Sequence, residues 1–182
     1  MRLIIETERL ILTPITREIL LAAIQDDRER ISGLLGAAVP HDWPSEDVAS
    51  SLHDLAVEWE TLSHFVSWIW LIVRRTDPTV IGDIGFHWPI RPDREIGYGV
   101  LPAYQGQGYA TEAVRGLIHW TIQNLAVVRL SAECLASNAA SIRVLEKAGF
   151  HRTREANGLQ RWVLRREDYI HGYNSNIVPR GT

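Results

Sequence analysis

The 182-residue sequence predicts an α/β fold, with a mixed, mainly antiparallel central sheet and helices on both of its faces. Three observations carry this prediction. Strand-like and helix-like patterns follow one another as strand, helices, three strands, helix, strand, helix, two strands. The three middle strands are joined by short links, which favour an antiparallel meander. The stretch from Glu95 to Ala113 then passes from a strand through a glycine-rich turn into a helix. A strand ending at Cys134 follows, so Arg94 to Cys134 reads as a right-handed parallel crossover.

Arg9 to Thr13 forms the opening strand, ended by Pro14. Arg17 to Leu35 is helical and interrupted at Gly33. His41-Asp42-Trp43-Pro44 is a loop, after which Ser45 caps a helix with Glu46 and Asp47 in its first turn. Val48, Leu52, Leu55, Trp59 and Leu62 recur at spacings of four and three, an apolar helical stripe. Val66 to Arg74 and Val80 to His87 are strands joined by a turn at Thr76–Thr79. Arg94 to Leu101 follows the breaks at Pro89 and Pro92. The helix after the glycines turns Ala110, Ala113, Val114, Leu117, Ile118, Thr121, Ile122 and Leu125 inward. Val127 to Cys134 is a strand. Ser137 or Asn138 caps the next helix, which buries Ile142, Leu145 and Ala148 and stops at Gly149. Phe150–Arg154 and Gln160–Leu164 pair through an Asn157-Gly158 turn. Of the seven tryptophans, Trp59, Trp68 or Trp70, and Trp120 belong to the core.

The length suits a single domain over residues 1–172, with residues 173–182 a tail, disordered or left by an added protease-site linker. One cysteine, Cys134, excludes an intramolecular disulfide framework and any multi-cysteine metal site. The seven histidines show no ligand spacing, so no metal is assigned. No apolar run suits a signal peptide or a membrane span, and the expected location is cytoplasmic, without membrane partners. The net charge of −3 does not suggest nucleic-acid binding. Residues 1–90 carry −7 and residues 91–182 carry +4. The basic half suits a small polyanionic ligand, and the acidic half favours a cationic acceptor.

Gly106 and Gly108 leave backbone N–H groups uncovered where a helix begins, an arrangement that attracts phosphate. A P-loop requires a lysine here, but Tyr109 and Ala110 stand in its place. The dinucleotide fingerprint requires glycine or alanine where Thr111 stands, although Glu133 lies at the distance of a ribose-binding acid. A third pattern, Gln-x-x-Gly-x-Ala, is met by Gln105, Gly108 and Ala110.

With these residues the chain resembles the GNAT superfamily of acetyl-CoA-dependent N-acetyltransferases, and within it the ribosomal-protein N-terminal acetyltransferases (the Rim-type group). Glu6-Thr7-Glu8-Arg9-Leu10 resembles that group's opening strand, and Ile81-Gly82-Asp83-Ile84-Gly85 its third. Glu95-Ile96-Gly97-Tyr98 with Gln105-Gly106-Gln107-Gly108-Tyr109-Ala110-Thr111-Glu112-Ala113 matches the acetyl-CoA motif. Ser137-Asn138-Ala139-Ala140-Ser141 with Val144-Leu145-Glu146-Lys147-Ala148-Gly149-Phe150 matches the next block.

The resemblance implies a GNAT-like fold, acetyl-CoA as cosubstrate and direct attack by a primary amine. The acceptor is then a protein or peptide α-amine or, alternatively, a small molecule. The pyrophosphate would sit on the amides of Gln105, Gly106, Gln107, Gly108, Tyr109, Ala110 and Thr111. Val100 and Leu101 would hold the pantetheine arm and polarise the thioester carbonyl. Asn138 and Ser141 would complete the cofactor contacts. Alternation puts Glu95, Gly97 and Gly99 on one strand face. An alkyl ammonium titrates near pH ~10, so a base is needed, and Glu95 is that residue. Many relatives protonate the leaving thiolate with a tyrosine where this chain has Leu145; the resemblance to the ribosomal-protein group implies Ser141 in that role instead, with water the alternative. The same departure motivates a non-catalytic acyl-CoA-binding module as the rival. Trp43 and Trp88, in proline-rich loops, would wall the acceptor site beside Glu95. Relatives are often dimers, so a homodimer is the expected assembly.

Overall fold

The computed structural model describes residues 3–61, 69–87 and 94–176. Its strands are β1 (Ile5–Glu6), β2 (Leu10–Pro14), β3 (Ile69–Arg74), β4 (Val80–Phe86), β5 (Arg94–Val100), β6 (Arg129–Leu135), β7 (His151–Ala156) and β8 (Leu159–Arg165). Its helices are α1 (Arg17–Ile24), α2 (Arg28–Leu35), α3 (Glu46–Thr61), α4 (Tyr109–Asn124), α5 (Ala139–Lys147) and α6 (Arg166–Asn176), with a 3₁₀ turn at Pro102–Tyr104. The sheet has eight strands in the order β1-β2-β3-β4-β5-β6-β8-β7. It is mostly antiparallel, and β5 and β6 form the parallel pair the crossover predicts.

The chain forms two compact units, Met1–Gly85 with Tyr98–Gly116, and Phe86–Gly97 with Leu117–Thr182. Strand β5 and helix α4 each run through both.

In the first unit, α1, α2 and α3 bury Ile19, Leu20, Ile31 and Leu52 together with Leu71, Val73 and Val80 of the sheet. The expected α3 stripe is present, since Val48, Leu55 and Trp59 pack against this core beside buried Leu52. Leu62, Val66 to Trp68 and Trp88 lie outside the described residues. Trp70 is fully buried and donates its indole N–H to Leu3 O at 2.6 Å.

The helical break falls at Gln25–Asp27, not at Gly33. Asp26 takes φ +56°, and the Asp27 side chain accepts the Arg30 N–H at 3.0 Å to start α2. Aspartates tolerate the left-handed region and cap helices well, whereas a single glycine inside a helix costs only about 1 kcal/mol. Gly33 therefore stays within α2.

Strand β4 lies antiparallel to β5. Leu101 donates to Ile81 O at 2.8 Å, which places Asp83 opposite Gly99. The contact is very close at Gly82, where a β-carbon would stand 2.1 Å from Gly99 O and 3.0 Å from Val100 Cα.

In the second unit, Leu130, Ala132 and Cys134 of β6 and Trp162 and Leu164 of β8 alternate inward, and Leu117, Ile118 and Ile122 of α4 and Leu145 of α5 are also buried. Asn138 is the cap of α5, and Asn157 and Gly158 make the expected tight turn. Helix α6 was not expected, because Arg166–Asn176 lacks an apolar stripe. The Arg166 side chain donates to Leu125 O at 3.1 Å, and Tyr169 Oη lies 3.1 Å from His119 Nδ1. The helix continues to Asn176, inside the segment expected as tail.

Gly82→Ala should destabilise the protein by about 2–3 kcal/mol, because the obstructing atoms belong to the backbone. Urea denaturation measures this; an unchanged midpoint would show that the β4–β5 contact is looser than described.

Candidate active site

The glycine-rich turn, Gln105 to Gly108, precedes α4. Gly106 and Gly108 have φ of +74° and +84°, a region closed to most side chains. Among the described residues, the backbone N–H groups of Gly106, Gln107, Gly108, Tyr109, Ala110 and Thr111 have no hydrogen-bond partner. The first helical bond into α4 is made by Glu112, whose N–H reaches Gly108 O at 3.1 Å. Residues 105–108 are exposed. Six adjacent donors at the positive end of a 16-residue helix can bind an anion such as a pyrophosphate.

The opening segment of the chain fixes this turn. Thr7 Oγ1 donates to Glu112 Oε1 at 2.6 Å, and the Arg9 N–H to the same oxygen at 2.7 Å. Arg9 Nε donates to Glu112 Oε2 at 2.6 Å and Nη1 to Gln107 O at 3.1 Å. The guanidinium also stacks 4.5 Å above the Tyr109 ring. Gln105 Nε2 donates to Val100 O at 2.8 Å, fastening the turn to the end of β5. Burial pushes the Glu112 carboxyl up, but the hydrogen bonds from Thr7 and Arg9 outweigh it and hold the group below the usual carboxylate range.

Val100 and Leu101 differ. The Leu101 N–H turns toward β4, so alternation turns the Val100 N–H to the side of β5 that pairs with β6 at Arg94 and Glu95. Leu101 is buried, gives its N–H to Ile81 O and accepts from the Tyr104 N–H at 2.9 Å. The expectation that Leu101 offers a free amide is therefore corrected, because the sheet already uses that donor.

Trp43 is corrected as well. It is 1% exposed and belongs to the core of the first unit, so it cannot present a wall to an acceptor. Its indole N–H donates to Asp83 Oδ2 at 3.2 Å. Asp83 is the residue that sequence reasoning missed. Its Oδ1 lies 3.8 Å from where a β-carbon on Gly99 would be and has no hydrogen-bond partner among the described residues. Burial pushes its carboxyl up to about 6, against the Trp43 N–H, which favours the charged form. The signal available in the sequence was an acid inside the apolar run Val80–Phe86.

The second unit holds Glu95, Asn138 and Ser141. Glu95 is half-buried and accepts the His87 N–H on its carbonyl at 2.8 Å. Among the described residues its carboxylate has no ion-pair partner. The neighbouring Arg94 guanidinium lies 5.7 Å from the Phe86 ring centroid. Two residues on, Gly97 leaves room for the His87 ring, which would come within 2.5 Å of a β-carbon there. The parallel ladder pairs Arg94 with Leu130 and Glu95 with Ser131. Asn138 Oδ1 accepts the Ser141 N–H at 3.0 Å, so the cap fixes the backbone of Ser141. Leu145 is completely buried, which leaves no polar group at that position of α5.

Among the described residues, no helix is long and apolar enough to cross a membrane, and no group of three or more His, Cys, Asp or Glu could hold a metal ion.

A mostly antiparallel sheet with one parallel crossover, whose turn offers a row of free amides, is a frame for handling a phosphate-bearing substrate. Residues 9–151 match the acetyltransferase (GNAT) domain family, and the chain belongs to it as a GNAT N-acetyltransferase. An N-acetyltransferase of Bacillus subtilis, YjdG, is 30% identical over 88% of this chain and 96% of its own. The ribosomal-protein-serine acetyltransferase of Escherichia coli is 34% identical over 39% of this chain and 41% of its own. The ribosomal-protein-S5-alanine acetyltransferase from Vibrio fischeri shares the fold, with a TM-score of 0.64 and 21% identity over 92% of this chain and 99% of its own. Also similar in fold is RimL, an acetyltransferase of ribosomal L7/L12 solved with coenzyme A, with a TM-score of 0.58 and 18% identity over 89% of this chain and 97% of its own.

Two stability profiles of opposite sign follow from the two carboxylates. Folding raises the Asp83 pKa, so its contribution is fully present below pH 3.8 and is lost as pH rises through about 6. That gap corresponds to on the order of 3 kcal/mol. Asp83→Asn should therefore be more stable than the parent at pH 7–8 and lose this advantage below pH ~4. Folding lowers the Glu112 pKa, so its contribution is present at neutral pH and lost on acidification. Glu112→Gln should cost roughly 1–3 kcal/mol at pH 7 and much less at pH ~3. Denaturation across pH tests both; parallel profiles for the two variants would refute the assignment.

Proposed function

We propose that the chain transfers the acetyl group of acetyl-CoA to a primary amine, and that the acceptor is the α-amine of a protein or peptide. The observation that carries the cosubstrate is the row of unpartnered N–H groups from Gly106 to Thr111, locked by Arg9 and Glu112. Those donors hold the pyrophosphate. RimL solved with coenzyme A, and the microcin C7 self-immunity acetyltransferase MccE solved with acetyl-CoA and AMP, support this choice. The named acceptors of the E. coli and Vibrio fischeri enzymes support a protein acceptor.

The N–H of Val100 donates to the thioester carbonyl and draws electron density from the carbon under attack. An α-ammonium has a pKa of about 8 and is largely protonated at neutral pH. Glu95 takes that proton, releasing the lone pair that attacks. Ser141, its backbone fixed by Asn138, relays to the departing thiolate the second proton, which the attacking nitrogen sheds as the amide forms. Asp83 is the competing base, because burial has already moved its pKa toward neutrality and its Oδ1 is open beside Gly99.

The two carboxylates are separated by pH–rate profiles on a peptide amine. Glu95→Gln should lower kcat/KM at pH 7 by about 10²–10³-fold, with the deficit shrinking toward pH ~9.5 as free amine accumulates. Asp83→Asn should lose less than about tenfold. The reverse ranking would transfer the role to Asp83, and a pH-independent loss in Glu95→Gln would remove proton transfer from Glu95. Arg9→Ala should weaken coenzyme A binding about tenfold in calorimetry without changing the pH profile of turnover. Unchanged affinity would mean that the turn keeps its shape unaided.

A further inference from the structure

Within the second unit, Glu95 shares its sheet face with an arginine cluster that the chemistry above does not use. Glu95 is in register with Ser131, and Ser131 with Val163. On one side of this row Arg129 stands opposite Arg165. On the other, Glu133 stands opposite Arg161, and Arg161 opposite Arg154. Alternation fixes the face, since the intervening Leu130, Ala132, Trp162 and Leu164 are buried on the other side.

Arg154 owes its place to an irregularity. The β7–β8 register shifts between Arg152 and Arg154, so Arg152 lies opposite buried Trp162 but Arg154 lies opposite Arg161. Without the register shift, Thr153 would stand opposite Arg161 and Arg154 would follow Arg152 to the other face. A bulge that re-aims one side chain in this way is frequent beside functional sites. A cavity of about 400 Å³ is lined by Arg129, Arg154, Arg161, Arg165, Ser131 and Val163, together with Thr153.

Like charges directly opposite one another across strands destabilise a sheet. Here there are two such pairs, Arg129–Arg165 and Arg154–Arg161. Two nearby acids offset them in part. Glu133 lies 3.9 Å from Arg161, and Glu167 of α6 lies 3.4 Å from Arg165. The cavity lining carries four guanidinium groups, those of Arg129, Arg154, Arg161 and Arg165.

We propose that this face binds an acidic segment following the N-terminal residue of a peptide or protein acceptor whose amine lies at Glu95. The inference rests on the acceptor reading given above. The two arginine rows are four residues apart along β6, about 13–14 Å, with the Glu95 row midway between them. A lone phosphate or carboxylate is satisfied by one arginine pair. A chain that leaves the Glu95 row and crosses toward β7 passes between the two pairs, about 7 Å from each, and its successive side chains, pointing to opposite sides, reach one pair each. The sign of charge is opposite to the cationic acceptor that the acidic N-terminal half suggested.

The test uses the full chain and pentapeptides with one common N-terminal residue, followed by acidic, neutral amide or basic residues. Labelled, Nα-acetylated forms report binding by fluorescence anisotropy without turnover, and free-amine forms report kcat/KM. The acidic peptide should bind at least about tenfold more tightly than the neutral one, with an affinity that falls as salt is raised. Arg154→Gln with Arg165→Gln should abolish that preference while leaving turnover of the neutral peptide within about twofold. Both residues are exposed. Removing them relieves like-charge pairs, so thermal stability should not fall, and unfolding cannot imitate the result. The double reversal to Glu should shift the preference to the basic peptide. Equal binding of all three peptides overturns the proposal, as does a stronger preference for a small phosphate-bearing amine. Tight binding of the acidic product form without turnover of its free-amine form would leave the anionic-peptide site standing and remove the acceptor reading. Turnover of peptides regardless of charge would do the opposite.

Discussion

The glycine-rich turn keeps its shape because one carboxylate accepts from two residues of the opening segment. Glu112, in the first turn of α4, takes hydrogen bonds from Thr7 and from both the backbone and the guanidinium of Arg9. Arg9 then reaches Gln107 O and covers the Tyr109 ring. A turn of this composition would otherwise sample many conformations, and ordering it on ligand binding would cost entropy. Here folding has already ordered it. With the side chains engaged in the clamp, the amides from Gly106 to Thr111 are left without a partner among the described residues.

Three local features of the chain are ones that folding alone does not favour. Asp83 is held in a partly buried position that disfavours its charge. Gly82 admits the β5 backbone at a distance no side chain tolerates. The second unit sets arginine against arginine on an exposed face. Such local costs are typical of sites selected for something other than stability. The apolar layers accommodate them, with Trp43, Leu52, Leu71 and Val80 buried in the first unit and Leu130, Leu145, Trp162 and Leu164 in the second.

Much of this architecture was legible in the sequence because it is written in local patterns. The α3 stripe, the Asn138 cap, the Asn157-Gly158 turn and the parallel crossover each depend on residues close in the chain. The helical break was misplaced because glycine was weighed above aspartate, whose local hydrogen bonding ended the helix sooner. Helix α6 escaped notice because its stability depends on tertiary contacts such as His119 with Tyr169. Trp43 was misread for a related reason: a loop flanked by prolines suggests exposure, yet its indole is drawn inward by a carboxylate forty residues away. The arginine face was invisible for a stricter reason. Arg129, Arg154, Arg161 and Arg165 meet only through strand register, and one of them only through a bulge.

That bulge lies in β7, the last strand in the sheet order and so an edge strand. Edge strands accept single-residue insertions and deletions more easily than central ones, because only one neighbour must readjust. A register slip in β7 that set Thr153 opposite Arg161 would turn Arg154 to the other face and change this face by a full charge, without altering the residues of β5, the glycine turn or the Arg9 clamp. The charge of this face can therefore diverge independently of the glycine turn and β5. Chains sharing the same β5 sequence can be expected to differ in charge on the β6–β8–β7 face more readily than in the glycine-rich turn.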